Sequence, residues 1–310
     1  MFVRLLYLAG LAVGMTSLVA LLGGFFWAFD LMSHFRVQYF ALLILCGATL
    51  FGLKQRRQSA VIASFALFNA AMIAPAFFGP GAHQVAASES APLRIMSINL
   101  LSSNNESHSV RQEIERKDPQ IIVFLEVNSW WQSELDGFLS SAYPYRQAQA
   151  REDNFGMTIF SKIPWSDLQV LDLGGEQIPS MLATFDNDGK AFHVLAVHFL
   201  PPMGKHGTRR RDEAFEQLPS AIADLPFETM VIGDLNATPW CYPFRRLMTE
   251  SKLLDSTVGF GLQPTWPTYL KLMSIPIDHC LHTSGIKIIN REVGAEVGSD
   301  HLPLLVDFQP

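Results

Sequence analysis

The stretch GSDHLPLL, residues 298–305, places an acid and a histidine side by side directly before an apolar run. The run 302–308 has the composition of a buried strand, so Asp300 and His301 stand at its entrance. Side chains at the mouth of a strand can converge with those of neighbouring strands on one site. Asp and His are equally common in solvated turns, so this pair needs partners elsewhere in the chain before it indicates a function.

Strand-like runs recur through the last two thirds of the chain and could supply such partners. The predicted strands are 94–101, 121–127, 156–161, 181–186, 191–199, 229–236, 277–283, 286–293 and 302–308. Amphipathic spacing and end signals predict helices at 107–117 and 207–224. Nine strands with three or four helices in this length favour α/β layers over a pure sandwich or a helical bundle.

Acid, amide and imidazole side chains stand at or beside the ends of these strands. They are Asn99, Glu126, His198, Asp234, Asn236, Asp278, Asp300 and His301. Each has an ordinary structural alternative, such as a helix cap or a hydrogen-bonded core histidine. Their recurrence over six segments favours one shared site. Carboxylate and amide oxygens suit Mg²⁺ or Mn²⁺, and a histidine held by a carboxylate suits acid–base or charge-stabilising chemistry near neutral pH.

The N-terminal region has a different composition. Three apolar runs, 5–29, 37–53 and 58–79, each approach the length of a membrane-spanning helix. A buried core helix, or a signal peptide for the first run, is the alternative for any one of them; three in succession favour three spans. Lys54, Arg56 and Arg57 in the second hinge predict that this hinge is cytoplasmic. The third span would then deliver the rest of the chain to the outer side, through a polar linker at 82–92.

Charge and cysteine content constrain the remaining part less strongly. Residues 91–310 hold 18 of the 23 Lys+Arg and 27 of the 29 Asp+Glu, a formal charge of −9. Such acidity disfavours a grip on duplex nucleic acid, although a bound metal can offset local acidity. Cys241 and Cys280 could pair in an oxidising compartment, and their spacing leaves that open.

Seven segments, in this order, together resemble the endonuclease/exonuclease/phosphatase superfamily, which includes DNase I, exonuclease III-type repair enzymes, neutral sphingomyelinases and inositol-polyphosphate 5-phosphatases. The segments are SINL, FLEV, GMTIFSKIP, AVHF, GDLNATPW, PIDHCLH and GSDHLPLL. The resemblance covers 91–310 and none of the membrane region. TWP at 265–267 and PWCYPFRRL at 239–247 are similar to bacterial membrane-anchored members.

The resemblance implies a role for each matching position. Glu126 matches the principal metal-ligating glutamate, Asn99 the asparagine beside it, and Asp300 an aspartate that approaches the metal. His301 matches the histidine that contacts the scissile phosphate, and Asp278 the aspartate that orients it. Asp234 and Asn236 match the pair that positions the attacking water and stabilises the transition state. His198 matches a second histidine of the DNase I and sphingomyelinase branches.

Two departures and two weaker positions qualify these assignments. Apurinic repair enzymes usually differ at the position of His198, so His198 counts against that branch. They also carry an acid where Leu101 stands, and its absence here leaves a second metal site open. Asn154 could bind a substrate phosphate or simply form a turn. Arg209, in the run 209–211, could contact a substrate phosphate, although such a run is more often a solvated face.

The sequence therefore predicts a multi-pass protein of the inner (cytoplasmic) membrane with a Mg²⁺- or Mn²⁺-dependent phosphoesterase on the periplasmic side. The predicted fold is a four-layer α/β sandwich of two mixed sheets flanked by helices, preceded by three transmembrane helices. Predicted boundaries are 1–81 for the membrane region, 82–92 for the linker and 93–310 for the catalytic domain. A lipid-derived or small phosphodiester is the expected substrate. A DNase I-type nuclease is the alternative, since nucleic acid is possible but not favoured as a partner, and an inactive membrane-anchored binding protein is the alternative of another class. No protein partner is indicated.

Overall fold

The computed structural model describes residues 1–79 and 91–310. Its N-terminal part contains helices α1 Phe2–Val19, α2 Trp27–Met32, α3 Arg36–Gly52 and α4 Arg56–Ile73. With short 3₁₀ turns they form three segments long and apolar enough to cross a membrane, Phe2–Leu22, Trp27–Gly52 and Arg56–Ala76. The predicted three apolar helices are confirmed. The first ends earlier than predicted because the chain turns at 23–25 and the next segment begins at Trp27.

The predicted linker at 82–92 lies almost wholly outside the described residues. The predicted domain boundaries accordingly stay predictions.

The C-terminal part, residues 93–310, is built from two six-stranded sheets with helices on both outer faces. Its strands are β1 Leu93–Asn99, β2 Ile121–Leu125, β3 Tyr145–Gln149, β4 Met157–Ser161, β5 Trp165–Asp172, β6 Pro179–Asn187, β7 Lys190–His198, β8 Glu228–Asp234, β9 Leu254–Asp255, β10 Asp278–His282, β11 Lys287–Val293 and β12 Leu304–Gln309. Its helices are α5 Ser107–Lys117, α6 Ser129–Leu139, α7 Gly204–Ala223 and α8 Tyr242–Glu250. The strand orders are β11-β12-β1-β2-β4-β3 and β5-β6-β7-β8-β10-β9.

Three apolar layers hold these elements together. The central one lies between the sheets, where Ile95, Val123 and Val306 of one sheet share a buried cluster with Val194 and Ile232 of the other. A second layer packs α7 and α8 on the outer face of the second sheet, and a third packs α5 and α6 on the first. Strands buried on both faces are continuously apolar, as β2 is. The predicted four-layer α/β sandwich is confirmed.

The prediction of nine strands was incomplete. The structure adds β3, β5 and β9 among the described residues. β3 and β5 are sheet-edge strands with many partly or fully exposed positions, so neither shows a continuous apolar run or a clean alternation. β9 spans two residues. The edges of a sheet carry the weakest sequence signal because only one neighbour packs on them.

Strand direction gathers the polar ends at one edge of the molecule. β1 and β2 run parallel and end together, and so do β7 and β8, with His198 opposite Asp234. β10 runs antiparallel to β8, so its first residue, Asp278, also lies opposite Asp234. Gly233 is required here: its φ is +143° and a Cβ would lie 1.9 Å from the Val197 carbonyl oxygen. A side chain at this position would push β8 away from β7 and displace Asp234.

The C-terminal part packs against the apolar helices near one of their ends. Asp30 of α2 forms a buried ion pair with Arg211 of α7, at 2.7 Å, and accepts a 2.7 Å hydrogen bond from the Tyr242 backbone N–H. His34 Nδ1 lies 3.0 Å from Thr238 Oγ1 in the loop after β8. Trp240 donates from its indole to the Met72 carbonyl at 3.0 Å. The first part of the second apolar segment and the end of the third therefore lie on the side that faces the C-terminal part.

Replacing Asp30 by Ala should lower the thermal stability of the full-length protein in detergent. The change leaves the fully buried Arg211 with Asp212 as its remaining acidic partner, which should cost roughly 2 kcal/mol. The matched control is Glu213→Ala, which breaks ion pairs to the largely exposed Arg209 and the partly exposed Arg210 and should cost less than ~1 kcal/mol. Equal unfolding temperatures for the two variants would contradict a docking role for Asp30.

Candidate active site

The site contains a hydrogen-bonded acid–histidine pair. His301 Nδ1 lies 2.8 Å from Asp278 Oδ2, and both side chains are buried. Burial alone would keep the imidazole neutral, but the carboxylates of Asp278 and Asp234 outweigh it and raise the pKa of His301 to about 10. Burial likewise disfavours the Asp278 charge, and the His301 imidazolium reverses this, so the pKa of Asp278 is lowered. The pair is thus an imidazolium held by a carboxylate.

Asp234 is the point on which the other groups converge. Its Oδ2 lies 3.7 Å from His198 Nε2, 3.8 Å from His301 Nε2 and 3.4 Å from Asn99 Nδ2. The two histidine distances exceed a hydrogen bond, so both Nε2 atoms face the carboxylate and remain available to another oxygen. Its Oδ1 accepts a 2.8 Å hydrogen bond from the Asn236 backbone N–H. Burial and the neighbouring Asp278 carboxylate raise the pKa of Asp234 to about 8.

The second histidine has the opposite electrostatics. His198 is buried, and burial together with the positive charge of His301 lowers its pKa to about 4. Its ring lies 5.1 Å from that of Phe155, which covers it on one side. His198 is therefore a neutral hydrogen-bonding group beside a cationic one.

Glu126 and Asn99 occupy the ends of the adjoining strands β2 and β1. Asn99 Nδ2 donates to Glu126 Oε1 at 3.1 Å, and the Ser102 backbone N–H donates to Oε2 at 3.2 Å. Glu126 adopts φ +58°, in the left-handed region that non-glycine residues adopt only occasionally. Burial raises the pKa of Glu126, and the negative charge of Asp300 acts in the same direction.

The loop before β12 brings Asp300 to this group. Its Oδ2 accepts a 2.9 Å hydrogen bond from the Trp266 indole, and its carbonyl accepts one of 3.0 Å from the Thr268 backbone N–H. Ser299 donates to the Asn99 carbonyl at 2.7 Å and accepts from the His301 backbone N–H at 3.0 Å. These bonds tie the SDH loop to the end of β1.

The donor set fits a divalent cation. Glu126 and Asp300 offer carboxylate oxygens, which Mg²⁺ and Mn²⁺ prefer. Asn99 turns its Nδ2 toward Glu126 and its Oδ1 accepts a 3.1 Å hydrogen bond from the Leu101 backbone N–H, so it would ligate a cation only after its amide rotates. Burial and the nearby Asp300 carboxylate disfavour the negative charge of Glu126. A bound cation would neutralise that charge. Asp234, Asp278 and His301 also have donor atoms within 4.8 Å of one another. In that second group His301 is a cationic imidazole whose two ring nitrogens are both donors, so the Glu126 side of the site suits a cation better.

Two predicted substrate contacts lie at the surface. Asn154 is exposed in the turn before β4 with φ +68°, which fits both a turn and a phosphate contact. Arg209 is 73% exposed and pairs with Glu213 at 2.8 Å. Substrate binding by these two residues stays a prediction. The structure brings together the other eight predicted residues at one edge of the two sheets.

The sequence interpretation missed several residues that shape the site. Ser102, Phe155 and Ser299 support Glu126, His198 and His301 through the contacts above. Trp266 was noted only within the TWP motif, although its indole bonds to Asp300. A signal was available, because a partly buried tryptophan outside any predicted strand needs a partner for its indole N–H. The pairing of Cys241 and Cys280 that the sequence left open is not formed in the structure, where both cysteines are buried and free.

Comparison with known proteins agrees with this architecture. The model of the endonuclease/exonuclease/phosphatase family matches residues 96–301. A humanized TDP2 from D. rerio superimposes with a TM-score of 0.60 at 12% identity, over 71% of this chain and 100% of that one. An endonuclease/exonuclease/phosphatase from Bacteroides vulgatus gives 0.59 at 18% identity, over 71% and 99%. Sphingomyelinase C from Streptomyces griseocarneus gives 0.54 at 14%, over 70% and 99%. A search of curated proteins finds no match.

Proposed function

The chain belongs to the endonuclease/exonuclease/phosphatase family of metal-dependent phosphoester hydrolases, and from that premise we propose a membrane-anchored phosphodiesterase that acts on a lipid-derived or small phosphoester. The observation that carries the proposal is the convergence of His198, His301 and Asn99 on Asp234 Oδ2. Hydrolysis needs an oriented water, a proton acceptor and positive charge at the phosphoryl oxygens. The converging groups are of the kinds that supply these.

Asp234 is proposed to orient the attacking water and to accept its proton. Its raised pKa makes the carboxylate a better base than an exposed aspartate. The backbone N–H of Asn236 fixes Oδ1, and the Asn236 side chain is held by the Phe199 carbonyl at 2.8 Å. Oδ2 is the atom left facing the histidines, so it is the one assigned to the water.

The two histidines are proposed to divide the work at the phosphate. His301, kept cationic by Asp278, would stabilise the negative charge that develops on the phosphoryl oxygens. His198, kept neutral by burial, would contribute a hydrogen bond without adding charge. Competent residues at all these positions argue against an inactive binding protein.

Glu126, Asp300 and Asn99 are the residues proposed to hold Mg²⁺ or Mn²⁺, which when bound supplies positive charge to the phosphoryl oxygens. Ser102 and Trp266 would keep the two carboxylates in place through their N–H groups. The proposed domain division is 1–81, 82–92 and 93–310.

A substrate panel tests the proposed reaction. The purified full-length protein would be assayed with Mg²⁺ or Mn²⁺ against bis(4-nitrophenyl) phosphate, 4-nitrophenyl phosphate and single- and double-stranded DNA. We expect the diester to be hydrolysed faster than the monoester, and duplex DNA to be the poorest substrate because of the acidic surface. A preference for DNA would instead favour the nuclease alternative. A solved TDP2 of this fold, complexed with a single-strand DNA product, makes that arm worth including.

Reporter fusions test the proposed location. The positive charges of KQRR, residues 54–57, favour a cytoplasmic position for the hinge between the second and third apolar segments. The C-terminal part would then lie outside the cytoplasmic membrane. A reporter active only outside the cytoplasm should therefore be active when fused after Pro310 and silent when fused near Arg57. The reversed pattern would place the site in the cytoplasm and contradict the proposed location.

A further inference from the structure

A short segment beside the site exposes an unusual amount of apolar surface. In TYLKLM, residues 268–273, Tyr269 is 75% exposed, Leu270 49%, Leu272 88% and Met273 39%. Single exposed apolar residues are normal, but four within six residues form a contiguous patch of the kind that marks an interaction surface. Lys271 lies among them and forms an exposed ion pair with Glu296 at 2.8 Å.

Contacts with the apolar helices place this segment at their end. Gln38, in the first turn of α3, donates from Nε2 to the carbonyls of Leu272 at 3.3 Å and Ser274 at 3.2 Å. Exposed phenylalanines stand at the same end of the other two apolar segments, Phe25 after the first and Phe78 after the third, 88% and 78% exposed. Both phenylalanines stand where an apolar span ends, which is the boundary between the hydrocarbon core and the headgroups. The exposed patch therefore lies at the height of the bilayer surface.

The same segment is bonded to the site. Thr268 donates its backbone N–H to the Asp300 carbonyl and its hydroxyl to the Ser299 carbonyl, both at 3.0 Å. Trp266, two residues earlier, donates to the Asp300 carboxylate and has its ring 6.4 Å from that of His301. Contacts that hold the exposed patch at the bilayer surface therefore also set the distance of Asp300 and His301 from that surface.

We infer that residues 269–273 dip into the outer surface of the bilayer and present the site to phosphoesters of lipids in the same membrane. The bilayer is the occupant that fits, because Gln38 fixes the patch at the first turn of α3, directly after Asp30 and His34, which contact the C-terminal part. A second copy of the chain fits less well, because it would have to pack on the patch in the space beside α3 that the bilayer surface occupies. The substrate part of this inference rests on the proposed function; the docking part rests on the contacts above.

Lipid-depth quenching tests the docking directly. The full-length chain carrying Leu272→Cys would be labelled with bimane and reconstituted in phosphatidylcholine vesicles containing a doxyl-labelled lipid. Background labelling should be low because Cys46, Cys241 and Cys280 are buried. The control is Leu254→Cys, 47% exposed on β9 and paired with the end of β10 remote from Asp278. We expect strong quenching at 272 and little at 254. Equal quenching at both positions would overturn the docking.

Paired substrates test its consequence. Hexadecyl 4-nitrophenyl phosphate partitions into the bilayer, whereas methyl 4-nitrophenyl phosphate stays in water. The ratio of kcat/KM for the hexadecyl ester to kcat/KM for the methyl ester should fall about 10-fold in Leu272→Glu, because a charge opposes insertion into the bilayer. The same ratio should stay unchanged in Leu254→Glu. An unchanged ratio in Leu272→Glu would contradict presentation of lipid substrates by this segment. If the wild-type protein hydrolysed neither ester, the proposed function would be contradicted. The quenching measurement reports on docking alone, so the two failures can be told apart.

Discussion

The Glu126→Gln variant is expected to lose roughly 10³-fold in kcat for phosphodiester hydrolysis. The change keeps the size and one acceptor oxygen of the side chain, so the bonds from Asn99 and Ser102 can persist in part. It removes the negative charge that the proposed cation needs. Affinity for Mg²⁺ or Mn²⁺, measured by isothermal titration calorimetry, should fall together with turnover.

The matched control for this prediction is Glu115→Gln on α5. Glu115 is 61% exposed and pairs with Arg111, so its loss should leave turnover and metal affinity unchanged. Near-normal turnover and metal affinity in Glu126→Gln would show that the metal site lies elsewhere. The group formed by Asp234, Asp278 and His301 would then be the next candidate.

The His301→Ala variant should fold and lose roughly 10²-fold or more in kcat. Asp278→Asn should lose activity as well, because an amide cannot stabilise the imidazolium as a carboxylate does. The double variant should be little worse than the worse single variant, since residues that act as a unit are not additive. Fully additive losses would show that Asp278 and His301 act separately.

A buried histidine outside the site provides the control for folding. His193 in β7 is buried and lies 3.0 Å from the Thr184 hydroxyl, so His193→Ala also removes a buried, hydrogen-bonded imidazole. That variant should lose stability and retain kcat. If His301→Ala behaved in the same way, His301 would have only a structural role in its turn.

Most of the fold could be predicted because its central strands carry strong local signals. β2 and β8 are apolar on both faces, and the polar residue that ends each one marks the site edge. β3 and β5 could not be found this way, because an edge strand with exposed positions lacks that contrast. Helix α6 was missed although Asn128 caps it with a hydrogen bond to the Trp131 backbone N–H.

The candidate residues were predictable from their positions, but their charge states were not. Nothing in the order of residues says that His301 is cationic and His198 neutral. That difference comes from Asp278, which bonds to His301, and from the burial of His198. The docking of the C-terminal part on the apolar helices could not be predicted from the sequence either. Asp30 and Arg211 are far apart in the chain and meet only when both parts are folded.

The central claim is that one metal-dependent site at the common edge of the two sheets hydrolyses phosphoesters. Its most direct test follows hydrolysis of bis(4-nitrophenyl) phosphate by the full-length protein after EDTA treatment and during stepwise return of Mg²⁺ or Mn²⁺. We expect activity to disappear in EDTA and to return with metal in the wild-type protein, but not in Glu126→Gln. Undiminished hydrolysis in EDTA, or full recovery of Glu126→Gln at the metal concentration that restores the wild type, would contradict the claim.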